Sequence, residues 1–361
     1  NAIVSQKSSG SEGSICNLRK RPKYKNRQDT KVAVAESTSA RLALDEESSI
    51  EMIEDIGNVF SGKVFSGNVF SDYSFSGNVS LTSVELTYSI TTLSSNLFHG
   101  CSSLTSLKLP STITIIGDLV FHGCSSLASL TLPPNITALG YGVFYECSSL
   151  VSLTLPSTIT TLGNRVFHGC KSLTSLVLPS TITTLGSYFF HGCSSLASII
   201  LPSTITILGD RVFDRCSSLT SLILSSTITT LGDGVFHGCS SLASLTLPST
   251  VTTLGHGVFD GCLLLTSVRL PKMISTLHAG TFGNCASLTS VHLPENLHAI
   301  SFDTFQGCSK LSIIKAPLFS TTLLKNNIND GLKIMLTNAG FLPTNPCGIS
   351  QNDMYYDWKR W

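Results

Sequence analysis

Ten cysteines, Cys101, Cys124, Cys147, Cys170, Cys193, Cys216, Cys239, Cys262, Cys285 and Cys308, fall 23 residues apart without an insertion or deletion. Thiols in line have three chemistries open to them: a disulfide framework, a ladder of metal ions, or a row of buried protonated side chains. Five histidines, His99, His122, His168, His191 and His237, each stand two residues before a cysteine, in a column interrupted by Tyr145 and Asp214. A His and a Cys two apart at a turn point in different directions, and the paired spacing of a zinc site is missing. We read these histidines as solvated turn residues copied by duplication, a column that would repel itself when protonated. Cysteines on adjacent parallel coils would lie about 5 Å apart, near the Cα range of a disulfide. Pairing would require their side chains to turn along the stack, so the expectation is a buried structural ladder, which does not report the redox compartment.

Other catalytic signatures are missing from the sequence. Asp118, Asp210, Asp233 and Asp260 fall singly near turns, and scattered carboxylates do not make an acid/base pair. There is no phosphate-cradling glycine loop, paired-His helix or Gly-x-Ser-x-Gly elbow. The chain therefore reads as non-enzymatic, with no cofactor.

The elements that carry these residues follow from the period. A unit this short cannot bury its own apolar face, so units must stack as a solenoid. One unit reads Cys170, Leu173, Leu176, Leu178, Pro179, Ile182, Leu185, Gly186, Phe189, Phe190, Gly192. Leu176 and Leu178 share one face of a strand, while Ser175 and Val177 share the other. One strand per coil gives a parallel sheet with right-handed crossovers. The proline ends the strand, and Gly186, sixteen residues after the cysteine, supplies a turn. Inward positions are the leucines, the Ile and the Val-Phe pair before each Gly-Cys.

These residues carry a resemblance. The pattern Cys-x-x-Leu-x-x-Leu-x-Leu-Pro-x-x-Ile-x-x-Leu-Gly-x-x-Val-Phe-x-Gly resembles the BspA-like leucine-rich repeat over roughly residues 78 to 317. The resemblance implies a right-handed solenoid of about 11 coils with a curved parallel β-sheet on its concave face. It also implies a role in adhesion or protein recognition, and a buried Asn or Cys bonding backbone at each coil corner. Asn78 holds that corner in the first coil, so the sequon Asn78-Val-Ser80 reads as inaccessible, whereas Asn135-Ile-Thr137 reads as exposed.

Concave ligand sites would use the outward positions of the strands. The residue five after each cysteine is nearly always Ser, whereas the seventh varies: Glu85, Lys108, Thr131, Thr154, Val177, Ile200, Ile223, Thr246, Arg269, His292, Lys315. Val177, Ile200 and Ile223 form an apolar patch flanked by Thr154 and Thr246, with Arg269, His292 and Lys315 gathered beyond it to meet an acidic part of a ligand. The ligand is read as a protein or peptide of unknown identity. The alternative is carbohydrate, or less readily ice, on threonine ranks such as Thr114, Thr137, Thr160 and Thr183.

Net charge is +1 and charged residues are 12% of the chain, which gives no electrostatic reason for nucleic acid. Mean hydropathy is +0.28, yet no apolar run reaches membrane-spanning length. Four domains are read: a charged, disordered segment 1–56, a Phe/Gly/Ser cap 57–77, the solenoid 78–317, and a cap with an aromatic tail 318–361. A helix is expected over 323–340, with Leu324, Ile328, Leu332, Met335 and Leu336 on one side. The basic run from Arg19 to Lys31 resembles a nuclear-import signal, and no secretory leader opens the chain as given. The family resemblance points instead to a cell surface, so the compartment stays open. The two tryptophans, Trp358 and Trp361, suggest either packing on the cap or continuation into a further domain.

Overall fold

The structure, a computed structural model, describes residues 63–65, 75–86, 90–301, 303–315 and 336–337. The charged segment 1–56 with its basic run, most of the Phe/Gly/Ser tract and the aromatic tail lie outside the described residues.

The coils form a parallel solenoid with two sets of short pairings, one set more than expected. The first set includes Ser83–Leu86, Ser106–Lys108, Ser129–Thr131 and Ser152–Thr154 at one end, and Ser267–Arg269, Ser290–His292 and Ile313–Lys315 at the other. In the middle coils it thins to single parallel bridges linking Thr154, Val177, Ile200, Ile223 and Thr246 in sequence. The second set comprises two-residue strands such as Thr92–Leu93, Thr184–Leu185 and Thr253–Leu254. Its pairing steps by whole coils, as Thr184↔Ile207↔Thr230↔Thr253 shows. The first residue of each pair points to solvent or is half-covered, and the second points inward.

The leucines, isoleucines, valines and phenylalanines of the repeat form one continuous core. Its centre is a phenylalanine stack from Phe75 to Phe305, one ring per coil, whose centroids lie 5.2–5.8 Å apart. Where threonine replaces valine beside this stack, at Thr281 and Thr304, each hydroxyl donates to a carbonyl three residues earlier at 2.7 Å. The polar atom is thereby satisfied inside the core.

All ten cysteines of the ladder are buried and free. Each thiol donates to the carbonyl of the phenylalanine 26 residues earlier, as in Cys124 Sγ to Phe98 O at 3.2 Å and Cys147 Sγ to Phe121 O at 3.0 Å. Phe98 O also accepts the Cys101 N–H at 3.1 Å, so the cysteine side chain ties each coil to the one before. For Asn78 the equivalent carbonyl falls ahead of the first coil. Asn78 is accordingly half-buried rather than sealed, and its Oδ1 accepts the Ser80 N–H at 3.1 Å.

The Ser and Thr content has a similar explanation. Thr114, Thr137 and Thr160 each donate their hydroxyl to the carbonyl of the threonine one coil back, at 3.2–3.4 Å. That carbonyl already accepts the same residue's N–H, at 2.8–2.9 Å. Side chains at the positions of Asp118, Asn164, Asp210 and Asp233 reach the other way, accepting a backbone N–H of the following coil at 2.7–3.0 Å. The carboxylates that seemed scattered in the sequence are thus fasteners between coils.

Glycine at the sixteenth position serves close approach rather than a turn. A Cβ on Gly163 would lie 2.6 Å from the Gly140 carbonyl carbon and from Tyr141 N. The left-handed residues of each coil fall elsewhere, at the eighteenth and twenty-second positions. At the eighteenth, Gly142, Gly234 and Gly257 have φ of 57–58°, while Arg165, Tyr188 and Arg211 adopt 59°, 60° and 55° with full side chains.

Both ends of the first sheet are covered by strands lacking the repeat signature. Lys63–Phe65 pairs in parallel with Val84–Leu86, and Leu336–Thr337 pairs in parallel with Ile314–Lys315. Leu336 and Thr337 are strand and not helix; the remainder of the expected 323–340 helix lies outside the described residues.

Candidate functional site

The alternation of each strand sends one side chain per coil inward and its neighbours outward. Leu176, Ile199 and Leu222 are buried, while the intervening Val177, Ile200 and Ile223 are 78%, 86% and 86% exposed. They touch in register and continue into Thr154 on one side and Thr246 on the other. Three β-branched apolar side chains held open to water on adjacent coils are the largest exposures of apolar residues in the described solenoid. A cleft of about 410 Å³ flanks Ile223, lined by Ser221, Ser226, Ser244, Thr246 and Pro248. The small serines leave that room.

Farther along the same period, Arg269, His292 and Lys315 stand in direct register. Among the described residues none of the three has an ion-pair partner, whereas Lys108 at the other end pairs with Glu85. Partial burial, together with Lys315 and Arg269, holds His292 below the ordinary histidine value. The structure therefore puts the expected apolar and basic residues on one outward row, though as two groups. Ile223 and Arg269 are two coils apart, roughly 10 Å at the spacing of parallel strands.

A second cluster lies at the turn edge and was missed in the sequence. Asp214 is completely buried. Its Oδ2 lies 2.9 Å from Arg211 Nη1 and 3.1 Å from His191 Nδ1, and its Oδ1 lies 2.8 Å from His237 Nδ1. Burial pushes the Asp214 carboxyl up, but the interactions with His191, His237 and Arg211 outweigh it and leave the group well below the usual carboxylate range. The bond to Asp214 raises His237. His168, flanked by His191 and Arg165 without such a carboxylate in contact, is lowered by burial to about 4.

The column is packed ring against ring rather than freely solvated, edge-on from His99 to Tyr145 and stacked from Tyr145 to His191. The ring centroids of His99, His122, Tyr145, His168 and His191 follow one another at 4.2–4.6 Å. Beside it, the Arg165 guanidinium sits 4.6 Å from the Tyr188 ring centroid. The Asp214–His237 pair does not continue to a nucleophile, because His237 Nε2 faces Asp260 at 3.9 Å. The available signal in the sequence was a single Asp replacing His in a column, with Arg three residues before it.

Burial lifts the thiols of the ladder from Cys101 to Cys262, whereas the interaction with Cys285 lowers Cys308 at the far end. Cys101 at its end rises to about 11, and Cys170 and Cys216 well above the ordinary value. They are neutral donors and neither nucleophiles nor metal ligands in this state. Among the described residues no three His, Cys, Asp or Glu side chains converge as a metal site, and no helix is long and apolar enough to cross a membrane.

Parallel two-strand coils, a phenylalanine spine and an open concave row define a leucine-rich repeat scaffold. The chain belongs to the BspA type leucine rich repeat region family, whose model matches in six copies over residues 66–173, 160–285 and 206–330. Proteins built on such repeats are generally non-catalytic interaction or surface scaffolds. Among solved structures, a leucine rich repeat protein of T. pallidum is 33% identical, covering 41% of this chain and 69% of that one, with a TM-score of 0.40. A leucine rich cell surface protein from Faecalibacterium prausnitzii A2-165 is 22% identical, covering 75% of this chain and 93% of that one, with a TM-score of 0.45. The pneumococcal vaccine antigen PcpA is 20% identical, covering 72% of this chain and 80% of that one, with a TM-score of 0.49. No curated protein matches the chain.

Proposed function

We propose that this protein is a non-catalytic scaffold that recognises a protein or peptide on its concave row. Val177, Ile200 and Ile223 are the apolar centre, Thr154 and Thr246 the flanks, and Arg269, His292 and Lys315 the basic end. A cell-surface setting is part of this reading. The single observation that carries it is the open apolar trio, since each such side chain gains about 1.5–3 kcal/mol when a partner covers it. The threonine ranks favour this over carbohydrate or ice, because hydroxyls such as those of Thr114, Thr137 and Thr160 already donate to the neighbouring coil.

The test is capture of partners by the full chain, comparing wild type with Ile200→Asp, Ile223→Asp. Both side chains are 86% exposed, so the variant should melt within a few degrees of wild type and lose the partners that wild type holds. Equal capture by the two proteins would remove the concave row from the function.

A further inference from the structure

Resting on that reading, we infer that the occupant of the concave row is an amphipathic helix with an acidic C-terminal half, lying along the axis of the solenoid.

Strand addition, the common alternative for a peptide on a sheet, needs a free edge. Such an edge lies far from the trio: Lys63–Phe65 and Leu336–Thr337 end the sheet, whereas Val177, Ile200 and Ile223 are bridged to Thr154 on one side and Thr246 on the other, so a strand added at either end would not cover them. A partner of the row must therefore lie across the strands and use side chains. Val177, Ile200 and Ile223 are joined by successive bridges, so the trio spans two coil steps, about 9.6 Å at a strand spacing of ~4.8 Å. Same-face residues of an extended peptide recur every 6.6–6.8 Å, so three of them span about 13 Å and fall out of step. Residues i, i+3 and i+7 of a helix span about 10.5 Å on one face and keep step.

The charges set the rest of the sequence. Arg269, His292 and Lys315 follow Val177 by four, five and six coils, roughly 19, 24 and 29 Å along the row. The same helix face passes these distances near i+14, i+17 and i+21, at about 1.5 Å per residue. Carboxylates at those places meet three groups that have no anionic partner among the described residues. The partial negative charge at a helix C-terminus is drawn to the same basic groups and sets this orientation, at some cost from the carboxylates in the last turns. The cleft beside Ile223, lined by Ser221, Ser244 and Thr246, receives the bulk of the third apolar residue.

The probe is a labelled 24-residue helical peptide with Leu at about positions 2, 5 and 9 and Glu at about 16, 19 and 23, titrated with the full chain by fluorescence anisotropy. The acidic peptide should bind with an affinity that falls as salt rises, and at least tenfold more weakly to Ile200→Asp. A peptide with Lys in place of the three Glu should bind at least tenfold more weakly, and Arg269→Glu, Lys315→Glu should reverse that preference. Equal binding of a version carrying a central Pro would overturn the helix, and equal binding of the Lys peptide would overturn the charge assignment. If the folded chain ignores the acidic peptide while natural partners still depend on Ile200, this inference falls and the recognition function stands. A concentration-dependent dimer abolished by Ile200→Asp would instead make a second copy the occupant.

Discussion

Replacing Asp214 with Asn tests the energetics of the turn edge. The change keeps the shape of a side chain that is wholly buried and removes the charge contacted by Arg211, His191 and His237 at 2.8–3.1 Å. Breaking a fully buried pair costs about 3–5 kcal/mol. Here the partners keep some water, with side-chain exposures of 43% for Arg211, 18% for His191 and 32% for His237, which lowers the expected loss. The new amide nevertheless turns a buried N–H₂ toward donors, an unsatisfied group worth about 1–3 kcal/mol. The balance is a loss of roughly 2–3 kcal/mol at neutral pH, read by guanidinium denaturation followed by far-UV circular dichroism. Asp214 is depressed in the folded state, so its contribution is present above an unfolded value of about 3.9 and lost as pH falls below it. His237 is raised, so its share is complete below about 6.5 and lost as pH rises through its folded value. The difference between wild type and variant should therefore be largest between about pH 4 and 6.5 and shrink on both sides. A variant within 0.5 kcal/mol of wild type at neutral pH, or a difference that ignores pH, would refute the reasoning.

Three further outcomes are expected. With Cys16 and Cys347 replaced by Ser, the native chain should react with a thiol reagent far more slowly than the unfolded chain, because the ten remaining thiols are buried; rapid modification of the ten would contradict the ladder. Gly163→Ala should destabilise the chain by about 1–3 kcal/mol, since its Cβ meets backbone at 2.6 Å in a site that cannot yield cheaply, whereas Arg165→Gly should stay within about 1 kcal/mol of wild type because relief of a left-handed φ offsets the lost ring contact; denaturation curves of the two separate them. His168→Asn should flatten the acid limb of stability, because a histidine lowered to about 4 destabilises the fold as pH falls from roughly 6.5; an unchanged limb would show that this site does not titrate as inferred.

Inward and outward positions of the concave row were legible because alternation in strands is a strict period of two, and Leu176, Val177 and Leu178 obey it. The second sheet was not, since Thr184–Leu185 and its neighbours are pairs too short to show any period. Its backbone pairing is visible only when coils are stacked. Glycine sixteen after the cysteine was taken for a turn because conformational freedom is the usual reason for glycine, whereas close contact between coils is a property of the stack. Asp214 looked like an interruption in a solvated column. Whether a turn side chain folds inward depends on neighbours 23 residues away, such as His191 and His237, and no local pattern reports that. The apolar trio was found by reading the sequence column by column, which a linear motif search passes over.

The inter-coil fasteners have an evolutionary corollary. Each coil hands its repeated hydroxyl, thiol and amide bonds to the coil one repeat away, so duplicating or deleting a complete 23-residue unit restores these repeated bonds automatically, the single contacts of Asp214 apart. Length is thus quantised, and recombination between near-identical units can lengthen or shorten the array without redesigning an interior. A unit gained between Ile223 and Arg269 would move the apolar and basic groups apart by one strand spacing, ~4.8 Å, so allelic variation in copy number would act as a vernier on which ligands fit.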